Sequence, residues 1–190
     1  MKTAKLPPME YLKECLDYNP ETGCFTWKVR PVEHFKTIGS FKMWNKRYSC
    51  KEAGRVKTNQ NGKSYRAIII DGVSHYSHRL AMVFYCGFDS SSSMQVDHID
   101  GNGLNNAINN LRIVTPEENS KNLRKASDNK SGATGVWFSS RDSKWIAEIK
   151  TKGKKIHIGS FNNKESAIEA RGLTESKLGF HKNHGTERPL

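Results

Sequence analysis

The 190-residue sequence predicts an α+β protein assembled from several small modules rather than around one large core. Only 35% of its residues are hydrophobic, and the mean hydropathy is -0.73. Short β-favouring runs alternate with short helical patterns, and polar stretches rich in Gly, Asn and Ser separate them.

Taken in order, residues 9–18 place Met9, Leu12, Cys15 and Leu16 on one face, the pattern of a short amphipathic helix. Asn19-Pro20-Glu21-Thr22-Gly23 reads as a turn, and the CFTWKV run after it as a strand whose Phe25 and Trp27 share a core-facing side. Residues 31–49 read as basic and irregular, with Phe35, Phe41, Trp44 and Tyr48 set among Lys36, Lys42, Lys46 and Arg47. That mixture fits either stacking and phosphate contacts to nucleic acid or a loop pinned down by its aromatics. Tyr65–Ile70 and Val73–Ser77 flank Asp71-Gly72, a strong hairpin signal. The HRLAMVFY run that begins at His78 predicts a helix, with His78 read as scaffold, and residues 87–93 a loop.

Val96–Ile99 predicts a strand, the Gly- and Asn-rich run after it a long loop, and Leu111–Val114 a second strand. Thr115-Pro116-Glu117-Glu118 carries an N-cap, a proline in the first helical position and a capping-box acid, so a helix starts near Pro116 and runs on through Lys121–Lys125. Beyond a polar linker the pattern gives three strands, at Val136, Lys144–Lys150 and Lys154–Ile158, and a helix over Asn163–Leu178. A three-stranded antiparallel sheet on that helix would bury Val136, Phe138, Trp145, Ala147, Ile149, Ile156, Ile158 and Phe161. The period of two turns Trp137, Ser139, Ile146, Glu148, Lys150, Lys155 and His157 to the other face. The domain reading is therefore 1–94, a basic hairpin and helix region; 95–125, a strand-loop-strand-helix core; 126–133, a linker; and 134–190, the sheet-and-helix module.

Charge follows these divisions. Residues 1–94 hold fifteen Lys and Arg against eight Asp and Glu, residues 120–190 fifteen against seven, but residues 95–119 one against four. Two basic flanks around an acidic centre fit an enzyme that grips a polyanion while local acids hold a cation. No apolar run is long enough to span a membrane, and the lysines at the N-terminus are not followed by an apolar signal stretch. Cys15, Cys24, Cys50 and Cys86 contain no CxxC pair, so they read as packing thiols in a reducing compartment rather than as disulfides or a zinc site.

The run VDHIDGNGLNNAINNLRIVTPEEN, residues 96–119, resembles the HNH (ββα-metal) nucleases, within the group that keeps a DH pair, a central Asn and a final Asn. The resemblance implies Asp97 and Asn119 as metal ligands, His98 as the general base, and Asn110 as the residue that pins the loop. It also implies one Mg²⁺ or Mn²⁺ per active site, which suits the hard oxygen donors and the lack of a thiolate in the motif. The L-x-Y-x-P-E-T-G-x-F-x-W-K pattern near the N-terminus is similar to the opening of many phage-type HNH proteins, and an HRL element such as His78-Arg79-Leu80 commonly precedes the motif. No EF-hand register occurs.

The segment from Ser131 to Ala170 resembles the AP2 DNA-binding domain in its GV start, W-x-A-x-I strand, IG-x-F turn and alanine-containing helix. That resemblance implies DNA-facing positions at Trp137, Ser139, Glu148, Lys150, Lys155 and His157; Arg141 and Lys144 at the hairpin turn are read as meeting phosphates, and the HRL element of the nuclease resemblance implies that Arg79 helps to position DNA or the active site. Several arginines usual in AP2 factors are Trp, Ser or Lys in this chain, so base specificity does not carry over. The expectation is a homing-type DNA endonuclease of the phage kind that nicks double-stranded DNA. It would act in the cytoplasm, a bacterial host's if phage-encoded, with no membrane association and no obligate protein partner. The competing expectation is a DNA-binding regulator that keeps the fold without the chemistry.

Overall fold

The computed structural model describes residues 6–60, 62–89, 93–123, 125–126 and 129–186. Ser90–Ser92 of the expected loop, Arg124 of the expected helix extension, and Ser127 and Asp128 of the expected linker lie outside the described residues. The chain forms two compact units that divide between Ile113 and Val114. Mixed helices and small antiparallel sheets make the class α+β. No helix among the described residues is long and apolar enough to cross a membrane.

The first unit opens with α1 (Met9–Cys15), which stops earlier than the apolar spacing predicts. Leu16–Tyr18 instead becomes β1 and pairs antiparallel with β2 (Phe25–Trp27), in the register Leu16↔Trp27 and Tyr18↔Phe25. The extended pairing wins because it buries Leu16, Phe25 and Trp27 together. Residues 31–49 are not irregular: a 3₁₀ turn at Val32–His34 leads into α2 (Ile38–Tyr48), capped by the Thr37 hydroxyl accepting from the Ser40 N–H. The aromatics anchor α2, with Trp44 edge-on to Trp27 at 5.0 Å. Arg30 lies against Trp44 and Phe35, its guanidinium 5.0 Å from the first ring and 5.1 Å from the second, and pairs with Asp71 at 2.8 Å. Lys42, Lys46 and Arg47 remain exposed.

β3 (Arg55–Thr58), β4 (Ser64–Ile70) and β5 (Val73–Tyr76) form a sheet in that order. The hairpin between the last two turns on Asp71 and Gly72, both at positive φ (48° and 81°), as a type I′ turn requires. α3 (Ser77–Cys86) packs on β4 and β5 and closes with Gly87 left-handed. Leu12, Leu16, Phe25, Ile68, Ile70, Leu80 and Val96 lie in one core beneath these elements. Of the four cysteines, all free, only Cys15 packs there; Cys50 and Cys86 are exposed, a correction to the packing role read for them. β6 (Gln95–His98) and β7 (Leu111–Val114) make a two-stranded sheet.

The second unit begins with α4 (Pro116–Ser120), whose Thr115 and Glu118 form the expected capping box. The helix ends at Ser120 rather than continuing. Lys121, Leu123 and Lys125 bond to the chain's last described segment instead, with His181 N–H donating to Lys121 O, Gly185 N–H to Leu123 O and Lys125 N–H to Thr186 O. β8 (Val136–Ser139), β9 (Lys144–Thr151) and β10 (Lys154–Phe161) form an antiparallel sheet with β9 central, covered by α5 (Lys164–Lys177). Its core is small: Val136, Ala147 and Ala167, with Trp145, Ile158 and Phe161 packed at its margin. Phe138 and Ile156, expected inside, are exposed, because the core beneath α5 closes around Val136, Ala147 and Ala167 and does not extend to them. Ile146, expected outside, is buried.

Candidate active site

β6 alternates as a strand should: Val96 and His98 are buried and Asp97 is half-buried between them. The loop that follows is fixed by side chains substituting for regular backbone pairing, the use to which Asn and Asp are best suited in turns. Asn110 is its tie. Its Oδ1 accepts from the Asp100 N–H at 3.0 Å, and its Nδ2 donates to Asp100 Oδ1 at 2.9 Å and to the Asn105 carbonyl at 2.8 Å. The main chain closes the same circuit, with Ile99 N–H donating to the Asn110 carbonyl at 2.9 Å.

Asp100 is the acceptor hub. Its carboxylate takes the Asn102 N–H and the Asn105 amide, both at 2.8 Å, besides Asn110. Burial pushes its pKa up, but the bonds from Asn105, Asn102 and Asn110 and the nearby His98 outweigh that and hold it below the usual carboxylate range. The loop therefore carries a fixed negative charge beside His98.

The His98 ring is buried, and its Nε2 lies 3.1 Å from Asn106 Oδ1. His78 meets it edge-on at 4.9 Å between ring centroids, and Tyr65 lies at 6.2 Å. Tyr76 stacks on His78 at 5.5 Å. Burial is the largest influence on His98 and lowers its pKa; the Asn106 bond and the Asp100 and Asp97 charges oppose it without cancelling it. His98 is thus a neutral imidazole at neutral pH, the form able to take a proton. Burial pushes His78 down to about 3, with the neighbouring His98 and Arg79 adding to the effect. His78 belongs to the wall around His98, in keeping with its reading as scaffold.

Asp97 is gripped by a residue that the sequence did not single out. Arg112, on β7, donates from Nε at 3.0 Å and Nη2 at 2.8 Å to Asp97 Oδ2. Asn119 lies in α4 of the second unit, half-buried. Among the described residues no three His, Cys, Asp or Glu side chains gather as a metal-binding group. The expected donors, one carboxylate and one amide oxygen, still suit a hard divalent cation that keeps several waters or substrate oxygens.

In the second unit the strand register brings the expected sheet-face residues together. Trp137 pairs across from Ile146, Glu148 from His157 and Lys150 from Lys155. Lys155 bridges to Glu148 at 3.0 Å, while Lys150 and His157 are exposed and Trp137 is 46% exposed. Arg141 stands out at the hairpin turn, and Lys144 donates to Asn162. Ser139 does not join them: it is buried, and its hydroxyl donates to Asp142 Oδ2 at 2.8 Å. The reason is local, since the hydroxyl also accepts the Asp142 N–H and so forms the turn between β8 and β9. Arg79 in the first unit is half-buried, with its guanidinium 5.7 Å from the Phe88 ring.

Three site residues escaped the sequence reading. Asn106 sits in the Gly- and Asn-rich loop among other turn-forming asparagines, and nothing local marks it as the partner of a histidine eight positions earlier. Asp100 lies two residues past His98 and looks like any loop acid. Arg112 did leave a signal, being the single basic residue in the acidic centre 95–119.

Comparison with known proteins gives concordant matches. Residues 75–121 match the HNH_3 family model, described as HNH endonuclease. Protein 3.8 of Escherichia phage T7 is 42% identical over 65 residues, 34% of this chain and 54% of that protein. A protein of Acanthamoeba polyphaga mimivirus named as an uncharacterized HNH endonuclease is 30% identical over 117 residues, 62% of this chain and 60% of its own length. An SPbeta prophage-derived protein of Bacillus subtilis, named for HNH homing endonucleases, is 48% identical over 48 residues, 25% of this chain and 27% of its own. The chain thus spans at most 60% of these relatives' lengths. A solved structure of the HNH homing endonuclease I-HmuI, concerned with its DNA binding and cleavage, covers 90% of both chains at 22% identity, but its TM-score of 0.37 says nothing about the site.

Proposed function

We propose that this chain, which carries an HNH endonuclease domain over residues 75–121, is a divalent-metal-dependent DNA endonuclease of the homing type. The observation that carries the reading is His98: a buried, neutral imidazole held by Asn106 on a strand where Asp97 precedes it. His98 takes the proton of a water as its oxygen bonds to phosphorus. The bond from phosphorus to the 3′ oxygen breaks, and that oxygen takes a proton from solvent, leaving a 5′-phosphate and a 3′-hydroxyl. Asn110 keeps the loop, and with it the acidic hub Asp100, in place beside that imidazole. Asp97 would hold the cation, with Asn119 as the second ligand on the sequence pattern; Mg²⁺ or Mn²⁺ bound there supplies charge for the developing oxyanion and the leaving oxygen. Arg112 orients the Asp97 carboxylate through two hydrogen bonds to one oxygen.

The exposed face of β8–β10, with Trp137, Lys150, Lys155 and His157, and the turn residues Arg141 and Lys144 would contact the duplex in the manner of an AP2-type reader. A single active site cuts one strand, so a monomer nicks. The competing regulator reading draws on the Arg112 grip on Asp97, which would let the pair serve as a structural ion pair. The test is incubation of supercoiled DNA with wild type and His98→Ala, in Mg²⁺ and in EDTA. Open-circle product that needs both His98 and the metal is expected. Salt-sensitive binding without cleavage, on DNA from several phages and their hosts, would move the assignment to the regulator.

A further inference from the structure

The YNPETG turn near the N-terminus has no part in the chemistry just described, yet it lies directly beneath the residue that holds His98. Tyr18 donates its hydroxyl to the Asn106 carbonyl at 2.9 Å. Two residues on, Ile108 N–H donates to the Pro20 carbonyl at 2.9 Å. Gly23 completes the seat: a Cβ built on it would come within 2.2 Å of the Asn106 carbonyl carbon and 2.3 Å of the Ala107 nitrogen, at a φ of +73° that side-chain-bearing residues seldom adopt. The turn thus touches the catalytic loop at Asn106, Ala107 and Ile108.

Asn106 is almost wholly buried, and its amide has a defined orientation. Its Nδ2 faces the Leu104 carbonyl at 3.3 Å, so Oδ1 is the atom presented to His98 Nε2. A carbonyl-type oxygen can only accept. Nε2 must therefore carry the hydrogen, and in a neutral ring the lone pair then resides on Nδ1.

We propose that Asn106 is a positioning residue that fixes the His98 tautomer with the proton on Nε2, making Nδ1 the basic atom, and that Tyr18, Pro20 and Gly23 form the seat that holds Asn106 in place. The N-terminal turn belongs functionally to the active site although none of its atoms meets substrate. The identity of Nδ1 as the reacting atom rests on the nuclease reading; the tautomer and its dependence on the seat do not.

The test uses heteronuclear NMR of the histidine ring nitrogens in the full-length, metal-free and DNA-free protein, alongside nicking kinetics. In wild type His98 should show a protonated Nε2 and an unprotonated Nδ1. Asn106→Ala should mix the tautomers and lower kcat about 10- to 100-fold with KM for DNA unchanged, by analogy with loss of the partner that orients a metal-ligating histidine. Tyr18→Phe, which removes one oxygen and leaves the ring contacts with Phe25 and Phe84, should shift the same resonances in the same direction with a kcat loss of about threefold. Asn106→Asp, which keeps an acceptor, should preserve the tautomer. A wild-type His98 protonated on Nδ1, or an Asn106→Ala protein with unchanged tautomer and kcat, would overturn the proposal. If the tautomer behaves as described but no DNA is cut, the nuclease reading fails and the positioning role stands.

Discussion

The loop beside His98 and the outer sheet face of the second unit both consist of polar side chains, but they spend their hydrogen-bonding capacity in opposite ways. In the loop, Asp100, Asn102, Asn105, Asn106 and Asn110 satisfy one another and the adjoining backbone, over a core that holds Leu12, Phe25, Ile68 and Leu80 fully buried. On the sheet face, Glu148 and Lys155 pair, while Lys150, His157 and much of Trp137 meet solvent above a core of little more than Val136, Ala147 and Ala167. On the proposed function, chemistry at one phosphorus atom demands groups held to a fraction of an ångström, and the loop is built in advance to that end. A surface that follows a duplex, the role proposed for this face, gains from side chains that still have rotamers to choose.

The sharpest way to break this contrast is in the loop. His98→Ala should lower the nicking rate by about 10³-fold, within the range for loss of a general base, while duplex affinity in a filter or anisotropy assay changes less than about threefold. Equal loss of binding would place His98 in the DNA interface instead. Next come the cores. Leu12→Ala, at a fully buried position, should cost about 3 kcal/mol in urea unfolding, whereas Phe138→Ala, at a residue 51% exposed, should cost about 1 kcal/mol or less.

Acid should act on the first unit through His78. Its folded pKa of about 3 lies below the ordinary 6.5, so the folded state resists the proton that the unfolded chain accepts. The contribution is whole above about pH 6.5 and is lost as pH falls toward 3, at about 1.4 kcal/mol per unit. Denaturant titrations at pH 7 and pH 5 should differ by about 2 kcal/mol from this residue, and His78→Phe should flatten the difference. The smallest effect belongs to the sheet face: Lys150→Ala should lower the slope of log affinity against log salt by about 1 with nicking of saturated DNA unchanged. An unchanged slope would remove Lys150 from the phosphate contacts.

Much of this was legible in the chain because its signals are local. Asp71-Gly72 sets a turn by backbone preference alone, and Thr115-Pro116-Glu117-Glu118 caps a helix within four residues. The loop tie at Asn110 came from a motif. What stayed hidden depends on contacts distant in sequence. α2 was missed because its aromatics look like loop anchors until Trp27 and Arg30 are seen beneath Trp44. Phe138 and Ile156 follow the alternation of a buried face, yet alternation does not say how far the core of a sheet extends. Asn106 is one asparagine among several, distinguished only by a histidine that the fold delivers to it.

The contact between Tyr18 and Asn106 also spans 88 positions of the chain. On a ribosome, the YNPETG turn emerges long before the loop it supports, and the contacts of Tyr18, Pro20 and Gly23 must wait for residues 106–108 to be made. A chain interrupted before that point lacks His98 or its holder. One released without its first two dozen residues keeps the motif but loses the seat. The loop around His98 is therefore the last part of the first unit to be assembled, so on the proposed nuclease function a half-made copy is inert within the cell that is making it.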